Sequence, residues 1–432
     1  MVKVSHDETI LIVGAGAFGL STALALRERG FTNTTVIDRY DPPVRDGSSN
    51  DISRIIRSDY NDPFYARLAK EAIESWKTSN IYSPHFHQSG FLLTSQVAND
   101  PFFEKTKAVL KSQSQKYRDF SSTAEIKRTF PGLKHIQDGL NGYFNPSSGW
   151  ADAAGAIKAV ATRLSDLGVS IITGPRGTMQ SLIIDSKSRV TGVNVVSGEP
   201  FRASKVILAT GAWTNRYLDL DYTIVGSAQP VGFIQLTPEE AQELADIPVA
   251  INMTSAVFFF PPNPDNILKV AYHGHGFEVE DLSDGKQGRT VSAPQRDSDN
   301  AASSWLPDDA DKYLRAGLRQ FVPDVAERPW TRGRLCWYTE TPTGDFIADY
   351  HQAVAELFVA TGGSGHGFKF LPVLGQYIAN CFEGTASAEV QRKWQLPSPT
   401  KTKQKIVVTD GSRRGPPRRM LDSNDRLQQA KL

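Results

Sequence analysis

Three glycines near the start of the chain have the spacing of a dinucleotide-binding turn. Gly14, Gly16 and Gly19 follow a short apolar run and precede a segment with apolar side chains at helical spacing. In such turns the first glycine permits a tight bend, the second lets the backbone approach a pyrophosphate, and the third permits close helix packing. Asp38 ends the next predicted strand, where a carboxylate accepts hydrogen bonds from ribose hydroxyls. The pattern predicts a dinucleotide site without distinguishing NAD from FAD.

Cys336 is one of only two cysteines in 432 residues, so the chain has no disulfide framework, and this cysteine usage is typical of a reducing compartment. A free cysteine is generally a small buried hydrophobe, and Cys381, on a predicted helix, is interpreted in that way. Cys336 differs because a second glycine-rich turn, residues 361–367, follows it and leads directly to Lys369. Its thiol is therefore a candidate point of attachment for a cofactor.

Cationic side chains in apolar surroundings form a further group of candidates. Arg54 and Arg57 follow a polar loop that contains Ser48, and cations in such a setting need anionic partners. Taken alone, the two arginines would be interpreted as exposed ion pairs. Lys269 and His273 share one face of a predicted strand. That face lies either in a cleft or in solvent, and the alternation alone favours solvent.

The elements that position these residues alternate between apolar strands and amphipathic helices, as in an α/β fold with a doubly wound sheet. A region with a different pattern, rich in strands, Pro, Asp and Asn, interrupts the alternation. The sequence predicts a Rossmann-like dinucleotide-binding domain interleaved with a mainly β substrate domain. The segments are 1–90, 148–218 and 328–390 for the first domain, 91–147 and 219–327 for the second, and 391–432 for a C-terminal extension.

Composition limits the classes of partner. Of the 432 residues, 40% are hydrophobic and 22% are charged, and the formal net charge is +1. This balance predicts neither nucleic-acid binding nor adsorption to an anionic membrane. No apolar stretch has the length of a membrane helix, and neither CxxC nor HExxH occurs, so no metal site is expected. Residues 397–424 are rich in Lys, Arg, Pro and Ser, which favours a solvated tail over an anion site.

Taken together, these motifs resemble the flavin amine oxidases of the monomeric sarcosine oxidase and fructosyl amino acid oxidase group. The likeness is greatest to fungal members that act on L-pipecolate, L-saccharopine or N-methyl amino acids, and it covers roughly residues 8–390. It implies FAD as the cofactor and a monomeric enzyme that oxidises a secondary amino acid, N-alkyl or cyclic. Hydride would pass from the C–N bond to the flavin, and oxygen would reoxidise it, giving hydrogen peroxide and an imine.

The resemblance also implies roles for individual residues. Cys336 would bind the 8α carbon of FAD covalently, and Lys269 would lie at the flavin N5 face and act in the reaction with oxygen. Arg57 and Lys369 would bind the substrate carboxylate. Besides Cys336, the residues expected to contact the cofactor are Gly14, Gly16, Gly19, Asp38, Ser48, Arg54, Gly211, Gly365, His366, Gly367 and Lys369. The other residues expected in the catalytic pocket are His273, Tyr338, Tyr60 and Phe258.

Two alternatives stay open at this point. Phe258 stands where the sarcosine oxidases carry a tyrosine, which makes the pocket more apolar, and Arg57 and His366 look like the sarcosine and pipecolate branch. This weighs against a fructosyl amino acid oxidase without excluding it. The second alternative is a flavin- or NAD-binding protein for electron transfer or structure. Lys269 discriminates against it, because such a protein needs no cation at the flavin.

The sequence ends in Ala430-Lys431-Leu432, which is similar to the Ser-Lys-Leu peroxisomal address. A peroxisomal location is therefore expected, with the import receptor as a partner, and a cytoplasmic one otherwise. An oxidase that releases hydrogen peroxide would be appropriate to that organelle. The remaining expected partners are the amino acid substrate and oxygen.

Overall fold

The computed structural model describes residues 4–220, 223–281, 291–294, 305–398, 406, 408–422 and 425. Its first principal sheet has six strands, all parallel except for one antiparallel edge strand. Their spatial order is Ile347–Tyr350, Leu357–Thr361, Lys205–Leu208, Ile10–Val13, Thr34–Ile37 and Ser170–Ile172. The two predicted strands on either side of the first glycine turn are thus neighbours, which confirms the βαβ unit.

Both faces of this sheet are covered, which explains why its strands have continuous apolar sequences. Helices cover one face: Ala17–Glu28, Pro63–Thr78, Ala153–Asp166 and Leu371–Phe382. A three-stranded antiparallel sheet, rather than further helices, covers the other: Met179–Ile184, Val190–Val195 and Phe201–Arg202. The apolar core of this part of the chain therefore lies on both sides of the parallel strands.

The second principal sheet has ten strands, most of them antiparallel. Nine follow the spatial order Arg419–Met420, Phe277–Glu278, Val225–Gln235, Ile267–Tyr272, Val257–Phe259, Val249–Asn252, Phe91–Ser95, Asn141–Asn145 and Arg118–Phe120. The tenth, Arg332–Glu340, pairs with Val225–Gln235. This sheet is the mainly β part that the sequence predicts.

The long central strand Val225–Gln235 fixes two candidate residues relative to each other. Phe233 pairs with Lys269 on one neighbouring strand, and Gln229 pairs with Cys336 on the other. Residues directly opposite each other in a sheet point to the same face, and so do residues four apart along a strand. Lys269 and Cys336 therefore share one face of the large sheet.

This pairing places the strand Arg332–Glu340 in the large sheet, within the segment 328–390 that the sequence pattern assigns to the dinucleotide-binding domain. A strand that is buried in either sheet has the same apolar sequence, so the pattern does not indicate which sheet it joins. The division into domains stays a prediction.

The other regular elements are short or lie at the periphery. The helices are Pro101–Ser112, Thr123–Thr129, Gly174–Gly177, Thr214–Tyr217, Pro238–Glu243, Asp308–Phe321 and Ala388–Trp394. The strands Arg54–Ile56, Gly149–Ala151 and Phe86–His87 form a three-stranded sheet, and Glu280–Asp281 pairs with Val291–Ser292. No helix in the part of the chain that the structure describes is long and apolar enough to cross a membrane.

Residues 408–422, here called the C-terminal strap, correct the prediction of a solvated tail. Arg413 and Arg418 have only 3% and 2% of their side chains exposed, and both pair with Glu340, which is buried. The strap ends in the strand Arg419–Met420, which joins the edge of the large sheet. The composition of the tail is typical of disorder, but composition cannot indicate a buried carboxylate far away along the chain.

Candidate cofactor and substrate site

One continuous cavity brings most of the predicted residues together. Its walls come from both glycine-rich turns, the strands with Cys336 and Lys269, and the loop before Arg54. The predicted residues that line it are Gly14, Gly16, Asp38, Ser48, Arg54, Arg57, Gly211, Phe258, Lys269, His273, Cys336, Tyr338, Gly365, His366, Gly367 and Lys369. Gly19 and Tyr60 lie behind the wall rather than in it.

The first glycine turn has no room for side chains at Gly14 and Gly19. Gly14 has φ +115°, and a Cβ there would overlap the carbonyl oxygen of Ala209. A Cβ on Gly19 would overlap the carbonyl oxygen of Gly14, so the helix Ala17–Glu28 packs directly on the turn. Gly16 faces the cavity, where its only close neighbour is Ser49 Oγ. The turn therefore leaves bare backbone beside the cavity, as a bound pyrophosphate requires.

Asp38 lies beside this turn at the end of its strand. Its carboxylate accepts hydrogen bonds from the backbone amides of Ala15 and Arg39, each at 2.6 Å. Burial raises the pKa of Asp38 to about 6, against the effect of these two amides. A carboxylate held in this way keeps free lone pairs toward the cavity for ribose hydroxyls. The residues present therefore fit a dinucleotide with its adenosine end at Asp38.

A buried carboxylate that the sequence pattern does not single out lies at the centre of the site. Asp51 has a fully buried side chain and forms ion pairs with Lys269 at 2.8 Å, with Arg334 at 3.1 Å and with Arg54. Burial alone would raise the pKa of Asp51, but the three cations lower it well below its usual range. The only sequence signal for this residue is its position three residues before Arg54.

Lys269 is buried on the cavity wall rather than exposed to solvent, which corrects the interpretation that alternation favours. Its ammonium donates to the carbonyl of Ser53 at 2.6 Å and lies 4.7 Å from the ring centroid of Phe260. Burial lowers the pKa of Lys269 to about 7, and the Asp51 carboxylate opposes this shift. The ammonium and neutral forms are therefore both populated at neutral pH, and the carboxylate partner favours the ammonium.

Cys336 is only 8% exposed, yet its thiol borders the cavity. Arg54 Nη2 lies 3.4 Å from Cys336 Sγ, so the guanidinium contacts the thiol directly. Cys381 has a different position and a different environment. It lies on the helix Leu371–Phe382, away from the cavity, and burial raises the pKa of its thiol to about 12. The two cysteines thus have the different environments that the sequence predicts for them.

A second cationic group, formed by Arg57, Lys369 and Arg413, lies at another part of the site. Lys369 donates to the hydroxyl of Tyr60 and to the carbonyl of His366, both at 2.8 Å. Burial and the two neighbouring arginines lower the pKa of Lys369 well below its usual range. These cations disfavour one another's charge, so an anion bound among them would be strongly stabilised.

Two histidines complete the surroundings of this group. Burial lowers the pKa values of His273 and His366 well below the usual range, and the nearby cations lower them further. Both imidazoles are therefore neutral at physiological pH. His273 Nδ1 lies 3.1 Å from the hydroxyl of Tyr338, and His366 Nδ1 lies 2.9 Å from that of Tyr60. The two rings act as hydrogen-bonding groups rather than as further charges.

Arg413 reaches this group from the C-terminal strap, and the sequence pattern does not predict it. Its guanidinium contacts the His273 ring and donates to the carbonyl of Ser364 at 2.5 Å. Its nearest carboxylate is Glu340, at 3.6 Å, and this carboxylate also pairs with Arg418. The strap is therefore part of the site, and no local signal in the sequence could have indicated the long-range contact.

Metal ligation has no support in this region. Within the described ranges, no group of three or more His, Cys, Asp or Glu side chains is arranged to hold a metal ion. The chemistry available is that of a dinucleotide site beside a thiol and two cationic groups.

Comparison with known proteins identifies the class. Residues 9–381 match the family model for FAD-dependent oxidoreductases. The chain is 31% identical over 408 residues to an L-saccharopine oxidase of Schizosaccharomyces pombe, covering 90% of this chain and 93% of that protein. It is 27% identical to a monomeric sarcosine oxidase of a Bacillus species, covering 86% and 90%. The structure of a fructosyl peptide oxidase from E. terrenum superposes with a TM-score of 0.87 at 28% identity, covering 97% of each chain.

The chain therefore belongs to the FAD-dependent oxidoreductase family. It is a flavin-dependent oxidase of amines or amino acids with FAD as its cofactor, as the sequence motifs predict. The alternative of a protein for electron transfer or structure is set aside. The dinucleotide cofactor is thus FAD rather than NAD.

The buried ion pairs of Asp51 lead to a prediction about stability. Changing Asp51→Asn leaves three cations without their shared counter-charge, which we expect to lower the free energy of unfolding by about 3–5 kcal/mol. The matched control is Asp62→Asn, because Asp62 caps a helix and pairs with a partly exposed Lys393. Asparagine preserves the cap, so this change should cost less than about 1 kcal/mol. Urea denaturation measures both, and equal losses would contradict the central role of Asp51.

Proposed function

We propose that this enzyme oxidises a secondary amino acid, N-alkyl or cyclic, with oxygen as the acceptor. The observation that carries the proposal is the pair of cations Arg57 and Lys369 on the same cavity as the glycine turn and Cys336, with Arg413 close behind Lys369. When bound, FAD would accept two electrons from the substrate C–N bond and pass them to oxygen, leaving an imine and hydrogen peroxide. The likeness to an L-saccharopine oxidase and a monomeric sarcosine oxidase supports this substrate class.

The cationic group would hold the substrate by its carboxylate. Arg57 and Lys369 supply donors on one side of the cavity, and a carboxylate bound there would oppose the burial and the cationic repulsion that lower the pKa of Lys369. Holding the carboxylate also places the neighbouring carbon and nitrogen in one position, which is catalysis by orientation.

The same charges would prepare the substrate amine. Positive groups disfavour a further positive charge, so they would lower the pKa of the bound ammonium and favour the neutral amine. The neutral amine is the form from which hydride can leave. His273 and His366 are neutral and add no further charge, and their ring nitrogens are held by protein groups: His366 by Tyr60 and the Gly344 carbonyl, and His273 by Tyr338 and Arg413. No dedicated general base is required in this scheme.

Lys269 would act on oxygen rather than on the amino acid. Its ammonium lies on the same sheet face as Cys336 and is held by Asp51. A fixed cation stabilises negative charge that develops on oxygen as oxygen is reduced. Asp51 matters here because it keeps the lysine charged and in place.

We further propose that Cys336 holds FAD through a thioether bond. Cys336→Ala should give a protein whose flavin is released on acid denaturation, because the tether is lost. Cys381→Ala is the matched control and should retain yellow colour on the precipitated chain, since Cys381 lies away from the cavity. The measurement is flavin absorbance of pellet and supernatant. Release of all flavin from the unmodified enzyme would refute covalent attachment.

The carboxylate anchor gives a second testable outcome. Lys369→Met should raise KM for an N-methyl amino acid by about 10- to 100-fold, because a charged hydrogen bond to the carboxylate is lost. The comparison substrate is the corresponding N-methyl amine without a carboxylate, whose oxidation should change much less. Peroxide release measures both. An equal loss for the two substrates would contradict the anchor.

The oxygen reaction should depend on pH through Lys269. Its pKa in the folded protein is lowered to about 7, so the ammonium is present below this value and is lost as the pH rises through it. We expect kcat/KM for oxygen to fall as the pH rises from 6 to about 8. Oxygen consumption at limiting oxygen measures this, and Lys269→Met should abolish the pH dependence along with most of the rate. A pH dependence that survives Lys269→Met would assign it to another group.

Oxidation of an Amadori product is the second candidate function. The observation in its favour is the superposition with a fructosyl peptide oxidase over 97% of each chain. A peroxisomal location and a monomeric state also stay proposals. The tripeptide Ala430-Lys431-Leu432 lies outside the described residues, and the relative named monomeric sarcosine oxidase supports the monomer.

A further inference from the structure

One wall of the cavity is apolar throughout, and the proposed chemistry does not use it. Residues 91–102 and 249–260 contribute to the cavity only aromatic and aliphatic side chains. Six of them form the surface that matters here, which we call the apolar chamber: Phe91, Leu93, Phe102, Met253, Phe258 and Phe260. All but Phe258 are buried in the fold, and Phe258 is partly buried. Side chains that line a cavity and are otherwise withdrawn from water are suited to an apolar ligand.

The apolar chamber adjoins both cationic groups. The Arg57 guanidinium lies 5.9 Å from the ring centroid of Phe91, and Lys269 Nζ lies 4.7 Å from that of Phe260. The ring centroids of Phe258 and His273 are 6.4 Å apart. An amino acid whose carboxylate is bound by Arg57 and Lys369 would therefore direct its side chain against these rings. The distances between the cations and the rings are short enough for one substrate side chain to extend from the bound carboxylate to the rings.

The C-terminal strap limits the size of the chamber. Arg414 binds Asp100 through both oxygens, each at 2.6 Å, and Asp100 accepts a hydrogen bond from the backbone amide of Phe102 at 3.0 Å. A Cβ added at Gly411 would lie 3.7 Å from the Phe102 side chain. The strap is thus fastened directly behind Phe102, on the far side of the chamber wall.

The chamber disfavours polar side chains of the substrate. The sugar hydroxyls of an Amadori product would lose their hydrogen bonds to water there, and the wall offers no side-chain partner in return. A second carboxylate or an ammonium, as in a saccharopine-like substrate, would be still less favourable in apolar surroundings. A hydrogen or methyl group, as in sarcosine, would leave the chamber unfilled. A substrate whose apolar side chain fills the chamber gains the most binding free energy.

Resting on the proposed function, we infer that the substrate is an N-alkyl or cyclic α-amino acid whose side chain is a single large apolar group, preferably an aromatic ring. Aromatic rings favour edge-to-face contacts, as the Phe258 and Phe260 rings make at 5.7 Å and 70°. Met253 adds a polarizable sulfur that packs well on a ring. In this arrangement the substrate carboxylate contacts the cations, and the substrate ring packs against the phenylalanines of the apolar chamber.

The test compares substrates that differ only in the side chain. N-methyl-L-phenylalanine should be oxidised with a kcat/KM about 10- to 100-fold above that of sarcosine, because a buried ring contributes that much to binding. N-methyl-L-glutamate and fructosyl-valine should fall below N-methyl-L-phenylalanine by at least the same factor. The inference is overturned if peroxide is released and the kcat/KM for sarcosine, N-methyl-L-glutamate or fructosyl-valine equals or exceeds that for N-methyl-L-phenylalanine.

Two variants locate the effect in the chamber. Met253→Gln places a polar amide among the rings and should reduce the preference for N-methyl-L-phenylalanine over sarcosine about tenfold. The matched control is Met420→Gln, because Met420 is 40% exposed on an edge strand and should leave the preference unchanged. An unchanged preference in Met253→Gln would place the recognition elsewhere and overturn the inference.

A binding measurement separates this inference from the proposed function. Calorimetry with the FAD-containing enzyme should show 3-phenylpropanoate binding at least tenfold more tightly than propanoate. Both ligands carry the carboxylate, but only 3-phenylpropanoate carries the aromatic ring. If no N-alkyl amino acid yields peroxide, the proposed function fails, while the calorimetric ratio still decides the nature of the chamber. Equal affinities would overturn the inference whether or not the enzyme is active.

Discussion

The site depends on one buried carboxylate. Asp51 lies on the loop before Arg54, and its other partners Lys269 and Arg334 lie on the two strands that flank Val225–Gln235. Three cations would repel one another in a buried place, and only their common partner makes the arrangement stable. The ion pairs therefore tie the loop to the face of the large sheet, and Arg54 remains against the thiol of Cys336 as a result.

The balance of charge in the second cationic group is opposite to that around Asp51, because positive charge is in excess there. Asp51 neutralises much of the charge around Lys269, whereas the carboxylates closest to Arg57, Lys369 and Arg413 are otherwise engaged. Glu340 serves both Arg413 and Arg418, and burial raises the pKa of Asp59 despite its proximity to Arg57. On the proposed function, this imbalance would allow the substrate carboxylate to bind there. One cavity would thus keep a compensated cation for oxygen and an uncompensated group for the substrate.

Local patterns predict the parts of this site that are local in the chain. The glycine turn with Asp38 depends on a strand, a bend and a helix within 30 residues, and the alternation of Lys269 and His273 depends on one strand. Asp51 and Arg413 escape prediction because their importance comes from partners more than 100 residues away. The face of the Lys269 strand is misjudged for the same reason, since alternation cannot tell a cavity from solvent. Family resemblance supplies what the patterns cannot, including the cofactor.

The strap shows why a polar, basic segment need not be a solvated tail. Its arginines meet buried carboxylates, Arg414 with Asp100 and Arg418 with Glu340, so each cation leaves water for a partner. Removing one partner from such a pair leaves an uncompensated buried charge, which makes the docked strap the favoured state. Because Asp100 also holds the amide of Phe102, the same contacts that fasten the strap set the far wall of the apolar chamber. The docking of the strap and the inferred selectivity of the chamber would therefore both depend on one set of ion pairs.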